Sequence, residues 1–112
     1  MDTVIFSALA EPSRLRIVEL LRNGPMNVGE VAAQLGIRQP QASKHLKVLL
    51  ESGLVEVQAE ANRRNYRLRT APLQDMDNWL SAYRNMWEQR YDKLDRYLQQ
   101  LQSQQKQSGE EL

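Results

Sequence analysis

A chain of 112 residues has length for one domain with a modest core, not for two. It contains no cysteine, which excludes disulfides, thiol catalysis and thiolate metal sites together, and its single histidine, His45, leaves little for acid–base chemistry. The net charge of +1 argues against a uniformly basic nucleic-acid binder, so such a role has to rest on how charge is distributed along the chain.

No run approaches the ~20 apolar residues of a membrane span, and no charged-then-apolar leader opens the sequence, so the expected location is the cytoplasm, with no membrane partner. Asp2 caps a short first helix through about Leu9, with Val4, Ile5, Ala8 and Leu9 apolar. So short a helix needs a neighbour to hold it, and the long last helix is the candidate. Glu11-Pro12 opens a second helix over 12–23, stopped by Asn23-Gly24-Pro25. Leu15, Ile17, Val18, Leu20 and Leu21 cover more than half its circumference, which predicts a central core helix. Arg14 and Arg16 lie outside that stripe and are read as structural more than as phosphate contacts.

The next stretch, 27–53, carries the functional signal. Asn27 and Glu30 have the spacing of a capping box, and Val28, Val31, Ala32 and Leu35 form one apolar stripe. Gly36 supplies a left-handed exit, and Ile37 plugs the turn that follows. Pro40 suits the first turn of a helix running from about Pro40 to Ser52, with Gly53 as its stop and Ala42, Leu46 and Leu49 on its inner side. Left outside are Gln41, Lys44 and Lys47, flanked by Arg38, Gln39 and Ser43. These are donors and acceptors suited to base edges and cations suited to phosphates. His45 sits at the margin of the buried side, where a structural hydrogen bond or a phosphate contact accounts for it better than a ligand role.

Beyond Gly53, residues 54–58 alternate apolar with polar, 60–63 reads as a turn, and 65–69 alternates again. That predicts a hairpin with Arg63 and Arg64 at a basic tip, placed to meet phosphates or a narrow minor groove, and with Tyr66 and Leu68 facing the core. Residues 38–69 hold seven Lys or Arg against three acids, a local +4, while the remainder holds eight against eleven, or −3. Positive charge is thus concentrated on the helix and hairpin in question.

From about Pro72 no breaker appears until Gly109. Leu73, Met76, Leu80, Tyr83, Trp87, Arg90, Leu94, Tyr97 and Leu101 alternate spacings of three and four, a seam interrupted only by Arg90. A helix of that length is longer than the preceding core can cover, so a second copy of the chain is expected to bury it. Trp79, Met86, Tyr91 and Leu98 widen the stripe. The expected subunit interface comprises Ile5, Leu9, Met76, Trp79, Leu80, Tyr83, Trp87, Tyr91 and Leu94. The same aromatics are suited to line a cavity for a small effector, and that alternative stays open. The segment after Gln99 is rich in Gln and Ser and is expected to fray.

Three pieces, FSALAEPSRLRIVELL at 6–21, QPQASKHLKVLLESGLV at 39–55 and NRRNYRL at 62–68, resemble in order and spacing the ArsR/SmtB-type repressors. The resemblance implies a mainly α fold with a small β-hairpin, a winged helix-turn-helix that dimerises through its terminal helices. It divides the chain into a DNA-binding core at 1–70, a dimerisation helix at 71–102 and a disordered tail at 103–112. It further implies a homodimeric repressor whose DNA-binding residues are Arg38, Gln39, Gln41, Ser43, Lys44, His45, Lys47, Arg63 and Arg64, acting on double-stranded DNA without a cofactor. Metal sensors of this family carry Cys-x-Cys where this chain has Asn27 and Gly29, or His ligands on the last helix, where it has none, so no metal is expected. Arg38 stands where the family often has Ser or Thr, which predicts a weakened helix cap. An enzyme is disfavoured, since no phosphate loop and no nucleophile with a base is present. A protein-interaction module and an RNA binder are the remaining rivals, the second disfavoured by the lack of strand aromatics for stacking.

Overall fold

The computed structural model describes residues 2–110, with side chains as far as residue 105. Five helices and a hairpin follow one another: α1 (Thr3–Leu9), α2 (Pro12–Leu21), α3 (Val28–Leu35), α4 (Gln39–Ser52), β1 (Val55–Glu60), β2 (Arg63–Leu68) and α5 (Thr70–Glu110). The chain forms two units, Met1–Met76 and Asp77–Leu112.

In the first unit α1, α2 and α3 begin at caps that their sequence supplies. Asp2 accepts the Val4 amide at 3.0 Å, and Glu11 accepts the Arg14 amide at 2.8 Å. Asn27 and Glu30 form the reciprocal capping box. Gly36 and Gly53 take left-handed conformations, φ 68° and 85°, which end α3 and α4 and turn the chain back onto the core. That core unites Ile5 and Ala8 of α1, Ile17 and Leu21 of α2, Val31, Ala32 and Leu35 of α3, Ala42, Leu46 and Leu49 of α4, and Leu54 and Val55.

Three expectations are corrected here. Ile5, expected at a subunit interface, is only 5% exposed and belongs to the chain's own core, because α1 packs on α2 and α4. Val4 and Phe6 are the residues of α1 that keep large exposed apolar surface. The second helix ends at Leu21, short of the expected stop, and although Ile17 and Leu21 are buried and Val18 and Leu20 pack on the core, Leu15 of the same stripe is 42% exposed.

The hairpin pairs Val55 with Leu68 and Glu60 with Arg63 in antiparallel register around a two-residue turn, Ala61-Asn62. Its inner edge is closed by Met26, whose amide donates to the Tyr66 carbonyl at 3.0 Å while the Tyr66 amide donates back at 2.8 Å. Tyr66, Leu68 and Ile37 pack against the core as the alternation and the turn predict.

The helix α5 runs to Glu110, past residue 102, where the sequence reading places the start of the tail. The run of Gln with Ser and Lys lacks proline and is compatible with helix. The rest of the expected tail lies outside the described residues. Within Asp77–Leu112, no residue over 77–105 is buried. Trp79 and Tyr83 meet edge to face at 5.1 Å, and Arg84 pairs with Asp77 at 3.0 Å.

Candidate nucleic-acid interface

Helix α4 is fixed along its inner face and at its C-terminus. Its inner face, Ala42, Leu46 and Leu49, is fully buried. At its C-terminus the guanidinium of Arg69 donates to the Gly53 carbonyl at 3.2 Å, and the Arg69 amide donates to Leu54 at 2.9 Å, so the base of the hairpin is tied to the helix end. At its N-terminus the cap is incomplete, as Arg38 predicts, because a guanidinium has no acceptor to offer the first-turn amides. Only the reverse half forms: the Arg38 amide donates to Gln41 Oε1 at 3.3 Å.

With the inner face fixed, 3.6 residues per turn place Lys44 and Lys47 on the opposite side. Both are exposed, as are Arg38, Gln39, Gln41 and Ser43. Gln39 lies close to the start of α3, where a methyl group added at Gly29 would meet its Nε2 at 3.3 Å. Among the described residues no carboxylate pairs with Lys44, Lys47, Arg63 or Arg64. Among the described residues these four cations are therefore unneutralised.

His45 does not join them. It is half-buried, and its Nδ1 lies 3.6 Å from Glu11 Oε2 at the start of α2. Of the two structural readings of this residue, the structure supplies an internal partner. The Arg14 amide holds the Glu11 carboxyl below its ordinary value; burial opposes that, and the Ser13 amide and the charges of His45 and Arg14 add to it. Arg14 in turn donates from Nε to the Ala8 carbonyl at 2.7 Å and from Nη2 to Ser7 at 3.3 Å. It closes the C-terminal end of α1, the structural role expected of it.

The hairpin differs from its expected layout. Arg63 and Arg64 are the first residues of β2, not a loop, and Ala61-Asn62 forms the tip. Successive strand residues face opposite ways, so the two arginines point to opposite faces. Arg64 shares the face of Tyr66 and Leu68, and Arg63 shares that of Arg67. Arg67 is engaged with Glu56 at 2.6 Å and Gln58 at 3.3 Å. Two of the seven cations of 38–69, Arg67 and Arg69, thus serve the hairpin and its junction. Neither role, nor the Glu11–His45 and Met26–Tyr66 contacts, has a local sequence signal, since each joins residues distant along the chain. Among the described residues no cluster of three His, Cys, Asp or Glu has metal-holding geometry.

A buried-backed helix with a cationic outer face, preceded by a capped helix and a left-handed glycine turn and followed by a paired hairpin, defines a winged helix-turn-helix. Residues 9–58 match the helix-turn-helix domain family. The chain is 32% identical over 81 residues to the transcriptional repressor SdpR of Bacillus subtilis, covering 72% of this chain and 90% of that protein. It is 43% identical over 65 residues to a biofilm growth-associated repressor of Agrobacterium fabrum, covering 58% of this chain and just over half, 56%, of that one. Among solved structures it resembles the homodimeric winged helix-turn-helix DNA-binding domain of Mb0332 from Mycobacterium bovis, a possible ArsR-family regulator. The identity is 29%, the TM-score 0.62, and the match covers 74% of this chain and 77% of that one. The chain belongs to the ArsR-type winged helix-turn-helix transcriptional regulators.

Proposed function

We propose that the chain is a homodimeric repressor that docks α4 of each subunit into successive major grooves of an inverted-repeat operator, with half-sites about 10 bp apart. The observation that carries this reading is the pair Lys44 and Lys47, exposed and unneutralised on the side of α4 opposite three fully buried residues. Arg38, Gln39, Gln41 and Ser43 border that face, and Arg63 and Arg64 extend it along the hairpin, one toward each face. His45 acts from behind, as a brace against Glu11 rather than as a reader. Dimerisation runs through Met76, Trp79, Leu80, Tyr83, Trp87, Tyr91 and Leu94, with Leu9 at the edge. The relatives named as repressors and the homodimeric neighbour support this assignment. Repression follows from occlusion of a promoter in the cytoplasm, with no effector, metal or cofactor required.

The test is a mobility shift with the chain's own upstream DNA across a salt series. Affinity falls steeply as salt rises, with a slope of about 0.9 per phosphate contact. A shift insensitive to salt, or one that appears only with an added small molecule, overturns the reading.

A further inference from the structure

Glutamine in a recognition helix pairs with adenine by using both ends of its amide at once: the NH2 donates to N7 and the oxygen accepts from N6. In this chain one end is already in use. Residue 38, at the helix cap, is an arginine, whose side chain cannot accept. The Gln41 oxygen accepts the backbone amide of Arg38 at 3.3 Å. A backbone amide can only donate, so the atom facing it is the oxygen, and the assignment of the two amide ends follows from chemistry. The two ends diverge from one planar carbon. With Oε1 turned back to the helix cap, Nε2 is the end left for solvent, on an exposed side chain.

Resting on the reading of α4 as the DNA-facing helix, we propose that Gln41 is a specificity-determining residue that addresses DNA as a donor only, selecting guanine over adenine at its base pair. Guanine shows two acceptors in the major groove, O6 and N7, and either takes the Gln41 NH2. Adenine shows one acceptor beside a donor, and the donor would face an amide whose oxygen is committed to the helix cap. Adenine offers that NH2 only N7, and its N6 amino group gains a partner only if the amide turns around, which strips the Arg38 amide of its own.

The experiment selects operators from a random duplex library with the full chain, then replaces the selected base pairs one at a time. Gln41→Ala marks the pair that Gln41 reads as the one position where preference relaxes. At that pair the wild-type chain binds guanine about five- to tenfold more tightly than adenine. Gln41→Glu keeps an oxygen for the Arg38 amide but has no donor. It loses the guanine preference and favours bases with an amino donor, cytosine or adenine, while its melting temperature stays at the wild-type value. Adenine preferred by the wild-type chain, the same base selected by Gln41→Glu, or no position relaxed in Gln41→Ala each overturns the proposal while leaving the DNA-binding role intact. A library from which no duplex is selected overturns both.

Discussion

The two units of the chain solve the hydrophobic problem in opposite ways. Met1–Met76 buries a continuous core in which Ile17, Val31, Leu46, Leu49, Leu54 and Val55 have almost no contact with water. Asp77–Leu112 buries none of its described side chains: Met86 is 64% exposed and Tyr91 67%, on a helix about 60 Å long at 1.5 Å per residue. In the proposed dimer this exposed apolar stripe is the surface that a second copy of the chain covers. The comparison therefore assigns stability to the first unit and association to the second, and it can be broken at either end.

The largest effect is expected from a charge in the stripe. Trp87→Asp converts the chain to a monomer by sedimentation and lowers operator affinity about 100-fold or more, because two linked reading heads become one. A monomer with undiminished affinity would sever association from function. Next comes the core: Leu46→Ala costs about 2–5 kcal/mol in unfolding free energy. By calorimetry that loss is the same at low and high chain concentration if the first unit's stability is its own. A third change lies on the surface between these regimes. Lys44→Ala weakens operator binding by about 1–3 kcal/mol if it reads a base, with preference lost at one position. Its melting temperature stays unchanged, since no carboxylate among the described residues pairs with that lysine.

Glu11 offers a pH test of the brace behind α4. Its carboxyl is held below the ordinary value of 4.5, chiefly by the Arg14 amide. A depressed carboxyl contributes stability that is present above its unfolded pKa and disappears as pH falls through the folded one. Glu11→Gln should therefore melt below the wild-type chain at neutral pH, with the gap closing on acidification below pH 4.5. A gap that is constant with pH would mean that the carboxylate charge has no part in the cap.

What the sequence made legible was whatever a few consecutive residues decide. Asn27 with Glu30, Gly36, Gly53 and the stripe of Ala42, Leu46 and Leu49 specify their elements locally, and the elements form with ends shifted by a residue or two. The misplacements share a cause. Ile5 lies inside the core rather than on an interface because its environment is set by α2 and α4, not by the periodicity of α1 itself. Arg63 and Arg64 belong to a strand because the tight Ala61-Asn62 turn leaves no loop for them to occupy. The donor-only posture of Gln41 was hidden for a related reason. A glutamine three residues after the cap allows the bond to the Arg38 amide, but which way its amide faces is decided only in the fold.

The smallest predicted effect concerns that same turn. Ala61 holds φ 54° as the first of two central residues, while Asn62 is not in the left-handed region. This is the pattern of a type II′ hairpin turn, which places glycine first. For an alanine the left-handed region costs roughly 1–2 kcal/mol. Glycine removes that cost but loses more chain entropy on folding, so Ala61→Gly should stabilise the first unit by only about 0.5–1 kcal/mol. The gain is to be read as a higher denaturant midpoint with unchanged slope. Because the hairpin is bound to the core through Met26 and Tyr66 and to the end of α4 through Arg69, tightening its tip should raise the midpoint of the whole unit. If instead hydrogen exchange slows only at the tip and the midpoint does not move, the hairpin folds and opens by itself. Arg63 and Arg64 would then be carried on a separately mobile arm and not on the frame that fixes Lys44 and Lys47.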